Sequence, residues 1–291
     1  MFLDVRVRIA PRARLAFSII RGSINQAGLT VNDSDTLRNK VVVVTGASRG
    51  IGREISISFA SQGCRVVLAA RSSDQLEIVA KAVQAAGGTA AAITCDVSDR
   101  TSARALISGA TQAFGSVDIL VNNAGSNYIC SVALSDDDKW EDVFRTNTFG
   151  AYYCTKAALR QMIRAKWGRI INISSVAATG GAAHASAYAA AKAAVNGFTM
   201  SVARETARFG ITANCVCPWH VDTDLMTQAM QARGRMFGKT AEEYIARIVS
   251  ESPQRRLITS EEVASTVLFL ASQGAGGITG QLINVCGGTS L

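Results

Sequence analysis

The sequence predicts a single-domain, doubly wound α/β fold: a seven-stranded parallel sheet with helices on both faces. Three observations predict it. From residue 41 onward, short apolar β-rich runs alternate with longer helical stretches, the order that builds βαβ units. The β-rich runs are apolar throughout instead of alternating, as strands covered on both faces must be. A polar or glycine-rich segment follows each of the first six strands, and ligands in such sheets sit beyond the carboxyl ends of the strands.

The elements follow in order. The first strand, 41–45, is VVVVT, β-branched at every position, and it runs through TGASRGIG into a helix near 51–62. RVVLA at 65–69 leads through AARSS to a helix over 73–86, and AAAIT at 90–94 leads through CDVSD to one over 100–114. VDILV at 117–121 ends in NNAG, followed by a long helical stretch over 136–164. RIINI at 169–173 gives way to SSVAATGG and a helix over 184–208, whose core, SAYAAAKAAV, is alanine-rich and free of proline and glycine. ITANCV at 211–216 runs into CPWHVDTD. A helix over 260–272 and the strand QLINV at 281–285 complete the chain. No solenoid-period repeat and no linker interrupts this pattern, so residues 38–291 read as one domain.

Composition narrows the function. Apolar residues make up 48% of 291, enough for a large core. The net charge is +8, but residues 1–40 hold seven Lys/Arg and three Asp, half of the excess, so the body is only mildly basic. That weighs against a dedicated nucleic-acid binder. Residues 1–37 read as a basic extension, either flexible or a targeting peptide. No apolar run approaches the ~20 residues that span a bilayer. Seven cysteines, an odd number without framework spacing, imply free thiols in a reducing compartment, and two histidines leave little for a metal site. We expect no metal and a cytoplasmic location, or the mitochondrial matrix if the N-terminal segment is a transit peptide.

The loop Thr45-Gly46-Ala47-Ser48-Arg49-Gly50-Ile51-Gly52 lies between a strand and a helix. Gly46 permits the sharp turn, Gly50 lets the backbone approach a pyrophosphate, and Gly52 lets the helix pack closely. The helix N-terminus then offers N–H groups to phosphate, so the loop predicts nucleotide binding. The same residues match G-x-S-x-G, a hydrolase nucleophile motif with Ser48 as nucleophile and His220 as its only late histidine. That reading leaves Gly52 and NNAG unexplained. At the end of the second strand Ala70 stands where an NAD site wants a carboxylate, and Arg71 follows. Arg49 and Arg71 are suited to clamp a 2′-phosphate, which favours NADP(H) over NAD(H).

Tyr188 and Lys192 stand four apart in a predicted helix and so share a face. Taken together, TGASRGIG, Asp96 in CDV, Asn122-Asn123-Ala124-Gly125, Asn147, Ser174-Ser175, Tyr188-x-x-x-Lys192 and the Pro218 loop resemble the short-chain dehydrogenase/reductase family over residues 38–291. The resemblance implies a Rossmann fold and a role for each position. Tyr188 would be the general acid toward a carbonyl oxygen, and Ser175, rather than Ser174, would hydrogen-bond that oxygen. Lys192 would bind the nicotinamide ribose and acidify the tyrosine, and Asn147 would hold a water linking Lys192 to solvent. Asp96 and Val97 would border adenine, Asn123, Ala124 and Gly125 the ribose, and Val221 and Thr223 the carboxamide. An ammonium ~4 Å from the phenol at an effective dielectric near 20 is worth roughly 4 kcal/mol, about three pKa units.

One position departs from the pattern. The family carries Pro-Gly where this chain has Pro218-Trp219, so either the backbone there is ordinary or the loop has shifted. Residues 223–256 read as a lid over the substrate. Met226, Met230 and Met236, half of the six methionines, suit either an apolar acyl ligand or helix packing. Arg160, Arg164, Lys166, Arg169, Arg204 and Arg208 read as solvated helix ends or as a docking face for an acyl carrier protein or coenzyme A. The resemblance is strongest to 3-oxoacyl-carrier-protein reductases and related ketoreductases. It implies NADPH-dependent reduction of a 3-oxoacyl thioester or similar ketone in fatty acid or polyketide metabolism, by a homotetramer or homodimer. The alternatives are a dehydrogenase of a hydroxyacyl-CoA, sugar acid or small secondary alcohol, and a silent nucleotide-binding sensor.

Overall fold

The computed structural model describes residues 37–289. Apart from Leu37, which is buried in the core, the segment read as an extension or targeting peptide lies outside the described residues.

Seven parallel strands form one sheet: β1 (Val41–Thr45), β2 (Arg65–Ala70), β3 (Thr89–Thr94), β4 (Ile119–Asn122), β5 (Gly168–Ile173), β6 (Ile211–Pro218) and β7 (Leu282–Val285). Their order is β3-β2-β1-β4-β5-β6-β7, so the order reverses between β1 and β4 and opens a crevice there. The valines of β1 show how both faces are filled. Val42 and Val44 pack with Ile55 and Phe59 of α1 (Gly50–Ser61), Leu76 of α2 (Ser73–Ala85) and Val267 and Leu270 of α10 (Ser260–Ala271). Val41 and Val43 face the other way, toward Leu106 of α3 (Arg100–Phe114) and Cys154 and Met162 of α5 (Gly150–Ala165). Alternation along the strand delivers successive apolar residues to opposite layers.

Some boundaries differ from expectation. β4 starts at Ile119; just before it the Asp118 carboxylate accepts the Val41 N–H at 2.8 Å, while the Asp118 N–H donates to the Val41 carbonyl at 3.0 Å. The stretch 136–164 is two helices, α4 (Asp137–Phe144) and α5, joined by a π-helical turn over Arg145–Phe149. After a short turn of helix, α6 (Ala177–Gly180), comes α7 (Ser186–Thr206), the helix of the tyrosine and lysine. The lid region contains two helices, α8 (Asp224–Phe237) and α9 (Ala241–Glu251). No described helix is long and apolar enough to cross a membrane.

Candidate active site

The glycine turn is built against β4. Thr45 Oγ1 accepts hydrogen bonds from the N–H groups of Asn123 and Ala124, both at 3.0 Å. The Asn123 amide donates to the carbonyls of Thr45 (2.9 Å) and Gly46 (3.1 Å). NNAG is therefore the brace of the turn as well as its neighbour. Gly46 sits at φ +64° and Gly50 at φ +51°. At Gly52 a Cβ would lie 2.2 Å from the Gly46 oxygen and 2.4 Å from the Asn123 amide nitrogen, so no side chain fits. Arg49 precedes α1 in extended conformation without capping it, and the first turn holds no acid. The uncapped N–H groups and the positive end of α1 face the crevice.

A cavity of about 870 Å³ runs along the carboxyl ends of the strands. Gly46, Ser48, Arg49, Gly50, Ile51 and Gly52 line one part of it. Arg71 after β2 and Asp96 and Val97 after β3 extend that wall, with Asn123, Ala124 and Gly125 after β4. Ser175, Tyr188 and Lys192 border the same cavity, as do Pro218, Val221 and Thr223. Residues from six loops and α7 thus meet in one place. Asp96 turns one carboxylate oxygen to the backbone N–H and hydroxyl of Ser98, at 2.9 and 2.7 Å. Ser48 has no hydrogen bond to His220 among the described residues, so the hydrolase pair is not assembled.

The tyrosine–lysine pair differs from expectation in its electrostatics. Lys192 is 5% exposed, and its ammonium lies 5.7 Å from the Tyr188 ring centroid. It donates instead to the Ile173 carbonyl at 2.7 Å. Burial lowers its pKa to about 8. Burial also raises the Tyr188 pKa, opposed by the Ser175 hydroxyl and assisted by Cys217. The net shift of the phenol is therefore upward, where the sequence argument expected it downward, because burial disfavours the charged form of both groups. Ser174 commits its hydroxyl to Asn196 Oδ1 (2.7 Å) and the Lys192 carbonyl (3.3 Å), whereas Ser175 Oγ accepts the Ala177 N–H at 3.1 Å, lies beside the Tyr188 phenol and faces the cavity.

Asn147 lies behind the wall, 2% exposed and outside the set that borders the cavity. Both ends of its amide engage the Ser126 backbone, at 3.0 and 2.9 Å. It sits in the π-helical turn, a distortion frequent at functional sites. A Cβ on Gly125 would lie 2.7 Å from Asn147 Oδ1 and 3.6 Å from Lys192 Nζ, so the three groups are close neighbours.

Of the two readings of Pro218-Trp219, the structure shows the ordinary backbone. Trp219 has no positive φ, and its N–H continues the ladder to the Val285 carbonyl at 3.0 Å. Its ring borders the cavity and meets His220 edge-on. In the segment read as a lid, Met226 and Met230 are buried against Ala241 and beside Tyr244, Ile245 and Ile248, and both also border the cavity. Met236 is exposed and does not border the cavity. The basic cluster divides. Arg169 is buried, donates to the Gly168 and Gly210 carbonyls and stacks on Trp167, so it is a core residue. Lys166 and Arg208 are exposed but precede β5 and β6, placing them at the edge of the sheet opposite the cavity.

Sequence reasoning passed over Arg233, gave Thr45 no role of its own, and placed His220 only in the hydrolase reading. Thr45 was visible as the polar end of a valine strand. Arg233 was visible seven residues beyond Met226, on the same helical face. All seven cysteines are free. Among the described residues, no three or more His, Cys, Asp or Glu side chains group as a metal site would need.

A profile of the family described as short chain dehydrogenase matches residues 40–234. A 3-oxoacyl-acyl-carrier-protein reductase of Pseudomonas aeruginosa is 39% identical over 253 residues, covering 87% of this chain and 98% of the relative. The Escherichia coli protein of the same name is 38% identical over 249 residues, 86% of this chain and 96% of its own. A crystal structure of an actinorhodin polyketide ketoreductase variant with NADPH superposes with a TM-score of 0.84 at 37% identity, covering 88% of this chain and 98% of that one.

Proposed function

The chain belongs to the short-chain dehydrogenase family and is thereby an oxidoreductase, and from that premise we propose that it reduces a 3-oxoacyl thioester, or a closely related ketone, to a secondary alcohol with NADPH. The observation that carries this reading is the meeting of Ser175, Tyr188 and Lys192 with the glycine turn in one cavity. The residues present fit a dinucleotide. Gly52 admits no Cβ, the N-terminus of α1 is uncapped, and Arg49 and Arg71 border the cavity, with Ala70 rather than a carboxylate at the end of β2. The glycine turn and α1 would hold the pyrophosphate, and Lys192 the ribose beside the nicotinamide.

The bound nicotinamide supplies a hydride. The chain does the rest. Ser175 Oγ donates a hydrogen bond to the ketone oxygen and Tyr188 gives that oxygen its phenolic proton. The raised Tyr188 pKa keeps this proton in place at neutral pH, the state reduction requires. Lys192, titrating near 8, is matched to restoring the proton from the solvent side.

The cofactor preference is testable at Arg71, which is exposed and has no described partner. Arg71→Ala lowers kcat/KM for NADPH roughly 10- to 100-fold, the value of one charge-assisted contact to phosphate, and leaves NADH unchanged. Equal change with both cofactors, read by nicotinamide absorbance with acetoacetyl-CoA as ketone, would refute the 2′-phosphate assignment.

We infer further that the enzyme is a homotetramer in a reducing compartment, the cytoplasm. Phe149 just before α5, Tyr152 on α5, Met200 on α7 and Phe269 on α10 are exposed apolar side chains on two separate helical faces. Two distinct faces of self-association generate four copies. Light scattering should give a particle of four chains, and Tyr152→Glu should halve it; a monomer in the wild type would exclude this assembly.

A further inference from the structure

The charged groups around the cavity are nearly all accounted for. Arg49 faces Asp224 at 3.9 Å, and Arg247 pairs with Glu251 at 2.7 Å. Lys192 is held by Ile173, and Arg71 stands at the cofactor end beside the glycine turn. Arg233 is the exception. It borders the cavity, and no carboxylate lies within ion-pairing distance of it among the described residues. One terminal nitrogen, Nη2, donates to the Ala183 carbonyl at 2.9 Å, whereas Nε is buried with no partner.

Its surroundings define a receptor. Arg233 follows Met230 by three residues and Met226 by seven, so an apolar stripe on α8 ends in a guanidinium. Ala183 lies in the loop that leads into α7 and Tyr188, which places the guanidinium on the substrate side of the cavity. His220 borders the same space and is held neutral, its pKa lowered to about 4 by burial and by the Arg233 charge. A cation without a counter-ion, beside a neutral imidazole and at the end of an apolar strip, matches an amphipathic anion.

We infer that Arg233 receives an anionic oxygen group of the substrate, a carboxylate or a phosphate, while the methionine stripe of α8 takes its hydrocarbon. The inference rests on the ketone-reduction reading and specifies the substrate class within it. Arg233 is here a specificity-determining residue.

Two matched pairs of ketones test it: 5-oxohexanoate against its ethyl ester, and acetoacetyl-CoA against the neutral acetoacetyl thioester of N-acetylcysteamine. Arg233→Gln keeps an N–H for Ala183 and removes the charge. It should lower kcat/KM roughly tenfold or more for a charged member and leave the neutral partners unchanged. Loss confined to the oxohexanoate pair identifies a carboxylate, and loss confined to the coenzyme A pair a phosphate. Equal loss on charged and neutral ketones, or no loss on either, overturns the inference and leaves Arg233 as a lid latch. If the variant does not fold, inhibition of the wild type answers instead. Propionate or inorganic phosphate should compete with the neutral ester, propionate without competing with NADPH, and absence of competition with the ester by both is the contrary result. A wild-type enzyme inert toward all four ketones refutes ketone reduction itself, and this inference with it.

Discussion

Tyr188→Phe will lower the rate of ketone reduction by roughly 10²- to 10⁴-fold and leave NADPH binding and thermal stability close to wild type. The range is that of a positioned general acid. The substitution removes one oxygen and keeps the ring, which packs beside Val143, Ala187, Ala191 and Trp140, so the local core is preserved. Ser175 remains to polarise the carbonyl, which is why a residual rate is expected. The direction of the Tyr188 pKa adds a second expectation. A phenol raised by burial stays protonated through neutral pH, so the reductive rate shows no decline there attributable to this group. The reverse oxidation needs the phenolate and should climb with alkaline pH. Turnover of acetoacetyl-CoA followed by nicotinamide absorbance, with cofactor binding by fluorescence titration, checks both. A variant retaining a substantial share of wild-type turnover would remove Tyr188 from the chemistry.

The fold was legible because its signals are local. VVVVT needs both faces covered wherever it lies, and TGASRGIG between a strand and a helix constrains its own backbone. The features that differed depend on distant partners. Nothing in RTNTF marks a break, since it lacks glycine and proline; the π-helical turn accompanies Asn147, whose amide is tied to Ser126 twenty-one residues away. Arg169 looks like one more surface cation in a basic run, but it is buried, and one of the carbonyls it donates to, that of Gly210 just before β6, lies forty-one residues away. The lid helices are a different case. Thr240 and Glu243 form a capping box, and that T-x-x-E pattern stood in the sequence.

The candidate site was legible as a set of residues and not as a field. Helical spacing puts Tyr188 and Lys192 on one face, but it carries no information about solvent. The 4 Å cation of the sequence argument is a pair in a half-wet setting. In the structure the ammonium is buried and bonded to a carbonyl nineteen residues upstream. The positions that spacing alone identifies keep their neighbours, and the energies assigned to them change.

Lys192→Met should abolish most ketone reduction, by about 10²-fold or more, yet melt at or above the wild-type temperature. Lysine here is costly to fold. The fall in its pKa from 10.5 to about 8 corresponds to ~3 kcal/mol against the buried ammonium at neutral pH, an order-of-magnitude figure. Methionine fills similar space without a charge, and its main loss is the bond to the Ile173 carbonyl, ~1 kcal/mol. Linkage gives the sign of the pH effect. Because the folded pKa lies below the unfolded one, the unfolded chain binds more protons between about pH 8 and 10.5, so this group makes wild-type stability rise with pH across that window. Below it the penalty is fully present. The Lys192→Met variant lacks that rise. Over the same range the wild-type reductive kcat/KM should fall, since the ammonium proposed to hold the ribose becomes neutral. Stability and activity therefore move in opposite directions through one titration, the signature of a charge retained for function at the expense of the fold. Thermal melts of both proteins from neutral pH upward, paired with rate measurements, decide it. A variant melting well below wild type would show that the Ile173 contact outweighs desolvation, and that Lys192 holds α7 to β5 as a structural tie.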